Sequence, residues 1–479
     1  MKLEINVMSN KTLVGRQGEV EILNSYLKSA KSEFIAVYGR RRVGKTFLIR
    51  QTIADRACFM LTGMDNVGVE EQLTNFWFAL RKLYDVARPQ SWLEAFDQLE
   101  RYIESLPEGE KIIFIDELPW FDTPRSNFIS AFEHFWNSWA SARTDVKLIV
   151  CGSATSWMID NLINNHGGLH NRVTHQMLIE PFTLAECREY FNVYGFAYRE
   201  REIAESYMIF GGIPYYFSLM NPKESVAQNV DRLLFASNGE LVGEFDNLFR
   251  SLFRQSADYV ELIRVLASKR KGLTRAELLE ATGFSNNSKF TTMLTELEKC
   301  GFIRTYTSFD SKKRDMIYQL IDSFTRFNFD VVVQNKHRDE AFWTHSLNSP
   351  LYRTWSGLAF EILCFNHVPQ IKQALGISGI RSNVCTLNLK GENKQRGAQI
   401  DLIIDRADST VNLCEIKYSR LEYEITSDDE TNFINKIERF IAQTKTSKSV
   451  IFTMITSSGV KSGKYSGIVQ VSITLDMLF

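Results

Sequence analysis

Phe34-Ile-Ala-Val-Tyr38 runs without a break into Gly39-Arg-Arg-Arg-Val-Gly-Lys-Thr46, and Phe47-Leu-Ile-Arg50 follows at once. The apolar run predicts a short buried strand, the Gly-x-x-x-x-Gly-Lys-Thr segment a tight loop, and the residues after it the first turns of a helix. In that order the pattern describes a loop that cradles phosphate. Gly39 and Gly44 let the backbone curl so that several N–H groups point inward, and the helix behind adds the positive end of its dipole. Arg40, Arg41, Arg42, Val43 and Phe47 complete the loop. Lys45 is expected to reach the outer phosphates of a nucleotide such as ATP, and the Thr46 hydroxyl to hold a magnesium ion (Mg2+).

Other segments fit an α/β domain around that loop. Lys111-Ile-Ile-Phe-Ile-Asp116-Glu117 reads as a central parallel strand whose end opens on the ligand crevice. Asp116 is expected to serve the magnesium ion, and Glu117 to activate an attacking water as general base. Lys147-Leu-Ile-Val-Cys-Gly-Ser153 predicts a further strand. Ser153, with Thr155 in reserve, is either a group that senses the outermost phosphate or an ordinary strand-to-helix turn. A strand is also expected at Ala57-Cys-Phe-Met-Leu61, and a last one at Met177-Leu-Ile-Glu-Pro-Phe182. Helices are expected around 70–83, 92–103 and 126–140, the last with Phe132, Phe135, Trp136 and Trp139 facing the core. Val14-Gly15-Arg16 before an amphipathic helix lies either against a base or simply at a helix entry. Arg172 is either a cation approaching the outermost phosphate, from the same or a neighbouring subunit, or a surface ion-pair partner. His166, His170 and His175 beside it have no carboxylate or cysteine partners at matching spacing for a metal site. Thr183 and Glu186 form a capping box.

The chain of 479 residues is too long for one core and suggests three or four units. Its formal net charge of −1 gives no global pull toward nucleic acid, so any such contact needs a local patch. Seven cysteines without a Cys-x-x-Cys pair argue for a reducing compartment and against a zinc ribbon. No signal-peptide core and no long apolar run is present, so a cytoplasmic protein without membrane attachment is expected.

Taken together, Val14-Gly-Arg, the Gly39–Thr46 loop, Phe-Ile-Asp116-Glu117, Cys-Gly-Ser153 and Gly211-Gly-Ile-Pro214 resemble, in this order, the archaeal-type ATPase family, assigned to the STAND branch of AAA-like P-loop ATPases. The resemblance covers roughly residues 13–220. It implies that Pro214 lies on the nucleotide base from a small helical lid. At one point the chain departs from it, since Asn171-Arg172 stands where a Gly-Arg pair is usual.

From Asp258 onward, three amphipathic helices followed by strands at Phe302-Ile303 and Met316–Leu320 predict a winged helix-turn-helix. Residues 250–320 hold thirteen Lys or Arg against eight Asp or Glu. Asn286, Asn287, Lys289, Thr292 and Thr295 suit a groove-facing surface, and Lys312, Lys313 and Arg314 a wing on phosphates, giving DNA contact; the alternative is a packing module. Further on, Glu361 is embedded in an apolar helix, and Asp401, Glu415 and Lys417 lie on two strands. Glu415 and Lys417, two residues apart, project to one face, with Asp401 able to meet them from the next strand. Asp401 and Glu415 as metal ligands, Lys417 as the cation at the developing charge and Glu361 as a further ligand or base form a phosphodiester-cleaving constellation. The layout resembles the PD-(D/E)XK nuclease superfamily, with Ile400 where the motif has Pro; an inactive fold of that type is the alternative.

The expected architecture is therefore an α/β P-loop ATPase core with parallel sheet (1–195), a helical lid (196–248), a winged helix (249–325) and a restriction-endonuclease-like α/β domain (326–479), with ATP/ADP and Mg2+ bound. DNA and further copies of the chain are the candidate partners. Two rival purposes stand beside a DNA-directed enzyme: a nucleotide switch without nuclease chemistry, and a DNA-binding regulator.

Overall fold

The protein was analysed as a computed structural model that describes residues 12–164, 171–253, 255–307, 309, 316–389, 391 and 396–479. The chain divides into two compact units, the first ending at Pro181 and the second beginning at Phe182.

The first unit is built on five strands, β1 (Glu33–Tyr38), β2 (Ala57–Thr62), β3 (Lys111–Asp116), β4 (Val146–Gly152) and β5 (His175–Leu178), in the order β2-β3-β4-β1-β5. Every neighbouring pair is parallel. β3 and β4 are buried along their whole length. Such strands must read as unbroken apolar runs because helices cover both faces of the sheet. The last strand is shorter and earlier than expected. Its register with β1 ends at Tyr38 opposite Leu178, and Ile179 only adds one more hydrogen bond to the Tyr38 carbonyl, at 2.8 Å. One sheet face is covered by an aromatic cluster that includes Phe34, Phe76, Trp92, Phe96, Phe128, Phe132 and Phe135. The predicted helix over 126–140 is regular only from Phe128 to His134 and then widens to a π turn over Phe135–Trp139. The wider turn puts the consecutive Phe135 and Trp136 both inside, which a 3.6-residue repeat does poorly.

The second unit begins with the helix Leu184–Val193, whose Thr183–Glu186 capping box is formed as expected. After further helices, Ser256–Ala267, Arg275–Thr282 and Ser288–Lys299 pack with β6 (Leu273–Thr274), β7 (Ile303–Thr307) and β8 (Met316–Leu320) around a common core. These three strands are antiparallel in the order β6-β8-β7. The C-terminal part carries a mixed sheet of β9 (Ser382–Leu389), β10 (Ala398–Arg406), β11 (Thr410–Lys417), β12 (Ser449–Thr456) and β13 (Val471–Thr474), in the order β13-β12-β11-β10-β9. Helices Pro350–Asn366 and Ser427–Thr444 pack against β11 and β10. The two sheets are joined: Phe309 donates to the Thr386 carbonyl at 3.1 Å, and the Arg304 guanidinium lies 3.4 Å from the centroid of Phe365. Burial pushes Arg304 down to about 9.

His367 ties the start of this unit to its C-terminal part. Its Nε2 accepts the Leu184 N–H at 3.0 Å, which leaves Nδ1 to donate to the Leu363 carbonyl at 2.9 Å. Only the neutral ring can make both bonds, and burial depresses its pKa to about 4. The unfolded chain therefore binds a proton that the folded one refuses between pH 6.5 and about 4. Stability is expected to fall as pH drops through that window, by up to about 3 kcal/mol from this residue. His367→Gln should flatten that part of a melting-temperature-against-pH curve; an unchanged slope would exclude the assignment.

Candidate functional site

In the first unit the parallel register brings the ends of β1, β3 and β4 to one edge, and the loop 39–46 lies on it. Gly39 is required there: its φ is +141°, and a Cβ would stand 2.3 Å from the Ile179 carbonyl oxygen. Gly44 has φ +92° and opens directly into the helix Lys45–Ile53, so the helix N-terminus faces the loop. Lys45 is buried and donates to the carbonyls of Gly39 and Arg40, both at 2.8 Å. Arg40 and Val43 are buried while Arg41, Arg42 and Phe47 are half-buried, Arg42 in the left-handed region at φ 70°.

Across from the loop, the Thr46 hydroxyl donates to Asp116 Oδ1 at 3.1 Å. The same oxygen accepts the Glu117 N–H at 3.0 Å, and Glu117 turns into a left-handed conformation at φ 49°. Its Oε2 accepts both the N–H and the hydroxyl of Ser153, at 3.0 and 2.9 Å. Five predicted site residues, Lys45, Thr46, Asp116, Glu117 and Ser153, thus meet at one end of one sheet. Thr155 is buried at the start of the next short helix.

Other expectations are redirected. Arg16, expected with Val14 and Gly15 either against a base or at a helix entry, stands immediately before the helix Gln17–Leu27, donates through Nη2 to the carbonyls of Val43 and Glu180, at 3.4 and 2.5 Å, and pairs with Glu19 at 3.0 Å. It braces the loop. Val14 beside it is buried, and Gly15 supplies a left-handed turn at φ 64°. Arg172 is exposed and precedes Thr174, whose N–H binds the Phe34 carbonyl near the start of β1. The register therefore sets Arg172 at the opposite end of the sheet from the loop, which removes it from the phosphates of its own chain. His175 is structural: it stacks on Tyr26 at 3.5 Å and meets the buried Glu33 at 3.2 Å. His166 and His170 lie outside the described residues. Pro214 opens the helix Pro214–Phe217 of the second unit.

The mixed sheet brings two of the residues predicted near the C-terminus, Asp401 and Glu415, side by side. Leu402 pairs with Cys414, so Asp401 and Glu415 are the next residues along the two antiparallel strands, and Asp401 accepts the Ile416 N–H at 3.2 Å. Glu415 is held from both sides, by Lys417 at 2.9 Å on Oε1 and by Lys436 at 2.5 Å on Oε2. Glu361 pairs with Arg270 at 3.4 Å. Burial raises the Asp401 carboxyl to about 7, helped by the charges of Glu415 and Glu361; burial also raises Glu361. Burial works against the charge of Lys417, yet the Glu415 carboxylate beside it holds its ammonium above the usual lysine range. Among the described residues no three His, Cys, Asp or Glu side chains are grouped to hold a metal ion. Asp401 and Glu415 are a carboxylate pair on neighbouring strands, with cations of this chain on Glu415.

Three cations here escaped the sequence reading. Arg270 and Lys271 come from the turn before β6, where Lys271 donates to Asn388 at 3.0 Å. Nothing in the local sequence ties that turn to β9. Lys436 did leave a signal, because it interrupts the apolar stripe of Phe433, Ile437 and Phe440 on its helix.

On the 256–320 module, the polar residues expected to face a groove are partly engaged. Asn287 caps its helix by accepting the Phe290 N–H at 3.0 Å, Asn286 accepts from Arg275 at 2.9 Å, and Lys289 pairs with Asp258 at 2.7 Å. Thr292 and Thr295 are exposed. Lys312, Lys313 and Arg314 lie outside the described residues.

The two bonds from Ser153 fix where the Glu117 carboxylate points. Removing the hydroxyl in Ser153→Ala is expected to lower ATP turnover by about 10- to 100-fold while the nucleotide Kd moves less than about threefold. Parallel turnover and nucleotide-binding measurements check it; a loss confined to Kd would refute it.

Residues 13–220 match the family model described as an ATPase domain predominantly from Archaea. The chain is 26% identical over 414 residues to an uncharacterized protein of Methanocaldococcus jannaschii, which covers 85% of this chain and 88% of that one. Among solved structures it is similar to the Walker-type ATPase of Pyrococcus abyssi, with a TM-score of 0.48 and 20% identity over 66% of this chain and 96% of that one. It is also similar to the Aeropyrum pernix ORC2 protein in ADPNP–ADP complexes, with a TM-score of 0.39 and 13% identity over 70% and 98% of the two chains. The match over residues 13–220 identifies an ATPase domain of the P-loop type in this part of the chain.

Proposed function

We propose that this chain is a magnesium-dependent ATPase of the STAND branch of AAA-like P-loop proteins. The observation that carries the reading is the Thr46–Asp116 contact of 3.1 Å, which sets a hydroxyl and a carboxylate side by side at the mouth of the loop. Both are oxygen donors of the kind that magnesium takes, with Asp116 acting through water. When bound, the ion would neutralise charge on the phosphates. ATP would occupy the loop 39–46, with Phe47 behind it, Val14 and Gly15 beside the base and Arg16 bracing the loop. Lys45 would leave the carbonyls of Gly39 and Arg40 for the β- and γ-phosphates. Glu117 takes the proton from the attacking water as ADP and phosphate form, with Ser153 holding one carboxylate oxygen so that the other faces the water. Arg172 is exposed and is either a surface cation or one that serves a neighbouring copy's nucleotide; an oligomer belongs to the second case alone. No helix among the described residues is long and apolar enough to cross a membrane. We place the protein in the cytoplasm.

A second reading concerns the C-terminal part. The Asp401–Glu415 pair with Lys417, on the inner strands β10 and β11 of the mixed sheet, supports a PD-(D/E)XK-like domain, and the three helices with β6, β7 and β8 support a winged helix that presents DNA to it. Nucleotide state would then gate a DNA-directed nuclease.

Lys45→Ala should abolish ATP hydrolysis, and Glu117→Gln should keep nucleotide binding while lowering turnover by about 10²- to 10⁴-fold. A chain that hydrolyses ATP equally well with either change refutes the first reading. Magnesium-dependent DNA cleavage should be present in the wild type and absent in Asp401→Ala and Lys417→Ala. Absence of cleavage in the wild type leaves a nucleotide switch with a nuclease-like scaffold.

A further inference from the structure

The helix Val69–Leu80 buries a stripe of Leu73, Phe76 and Leu80, and Gln72 lies within that stripe, fully buried. A side-chain amide in such a place is costly unless its polar groups are bonded. Here they are. Nε2 donates to the Met64 carbonyl at 2.8 Å and to the Trp120 carbonyl at 3.0 Å, while Oε1 accepts the Met64 N–H at 3.3 Å. The two carbonyl acceptors fix the amide's orientation, since turning it over would set oxygen against oxygen. Gln72 therefore ties the loop after β2 to the loop after β3.

The second of those loops begins at Glu117. Its φ of 49° and ψ of 48° are left-handed, a conformation that a residue with a Cβ keeps only where its surroundings impose it. The Glu117 N–H is on Asp116 Oδ1, and its carbonyl accepts the Trp120 N–H, both at 3.0 Å. Trp120 is thus bonded to Glu117 through its N–H and to Gln72 through its carbonyl. Gly63, at the end of β2, packs so close that a Cβ there would stand 2.7 Å from the Glu117 carbonyl oxygen. On the β4 side, Trp157 Nε1 donates to Asp122 at 3.0 Å and holds the far end of the loop. The turn that aims Glu117 at Ser153 is braced from both sides.

Resting on the ATPase reading above, we infer that Gln72 is a positioning residue for ATP hydrolysis: it holds the Trp120 carbonyl, keeps the Glu117 turn left-handed, and so keeps the Glu117 carboxylate on Ser153 and aimed at the attacking water. Gln72 acts through backbone alone. Its loss is a loss of orientation at Glu117, with nucleotide affinity left in place.

Steady-state ATP turnover, ADP binding and amide hydrogen exchange of the full-length chain test this. Gln72→Met keeps the volume and removes all three bonds, and Gln72→Glu keeps the shape and removes the amide donors. Each should lower kcat by about tenfold or more, while KM and the ADP Kd move less than about threefold. In the Glu117→Gln background the same changes should cost nothing further, because the group they orient is already gone. Exchange of the amides over 117–122 should speed up in both variants without nucleotide. Gln98→Met, which removes another buried amide, bonded to the Ala87 carbonyl at 3.1 Å, should leave kcat within about twofold of the wild type. An unchanged kcat in both Gln72 variants overturns the inference, as does an equal further loss in the Glu117→Gln background or unaltered exchange over 117–122. Faster exchange in the variants of a chain that hydrolyses no ATP even as wild type upholds the brace and removes the ATPase reading instead.

Discussion

The hydrogen bond from Thr46 to Asp116 depends on two elements 70 residues apart ending at the same place. Parallel pairing makes that happen. β1 and β3 both flank β4 in parallel, so the loop that follows β1 and the carboxylates that end β3 emerge at one edge of the sheet. A helix dipole, a lysine, a hydroxyl and two acids are then concentrated where backbone N–H groups already converge. Ser153, at the end of β4 between them, completes the set by clamping Glu117. Each part of the site is thus the terminus of a buried element, and none relies on a long mobile segment for its position.

The C-terminal cluster works on a different principle. Its carboxylates project from the faces of antiparallel strands and a helix, and their charge is balanced by cations drawn from three places: β11 itself, the helix Ser427–Thr444, and the turn before β6. Burial raises Asp401 to about 7. Such a set is electrostatically coupled, so a change in any member is felt by the others. The 256–320 module is a part of this arrangement, since Arg270 pairs with Glu361 while Arg304 packs on Phe365 of the same helix.

The same contrast explains how far reading the chain could go. The loop 39–46 and the strand ending at Asp116-Glu117 were legible because the chemistry is contiguous: the residues that cradle a phosphate lie within eight positions and cannot be spaced otherwise. Glu415 and Lys417 were legible for a similar reason, a two-residue strand repeat. Arg16 and Arg172 were not. Arg16 faces the loop because a left-handed turn at Gly15 and Arg16 directs it there, and Arg172 is carried to the far end of the sheet by the register of β5 on β1. β9 and β13 went unread because edge strands of a mixed sheet alternate weakly, while the π turn at Phe135 and Trp136 breaks the period that pattern reading assumes.

By itself the amino-acid sequence determined the local chemistry of this protein: a phosphate-cradling loop, acids at the end of an apolar strand, a helix–strand module with a basic balance, and an acid–acid–lysine pattern near the C-terminus. Only the tertiary structure decided partnership. It turned Ser153 onto Glu117, Arg16 onto the Val43 carbonyl of the loop, Lys436 onto Glu415 of the mixed sheet and Arg270 onto Glu361 of the helix packed against that sheet. The physical reason is one of range. Backbone curvature and side-chain periodicity act over a few residues and are written in order along the chain, whereas the pairing of buried charges depends on strand register and helix packing that join positions tens or hundreds of residues apart.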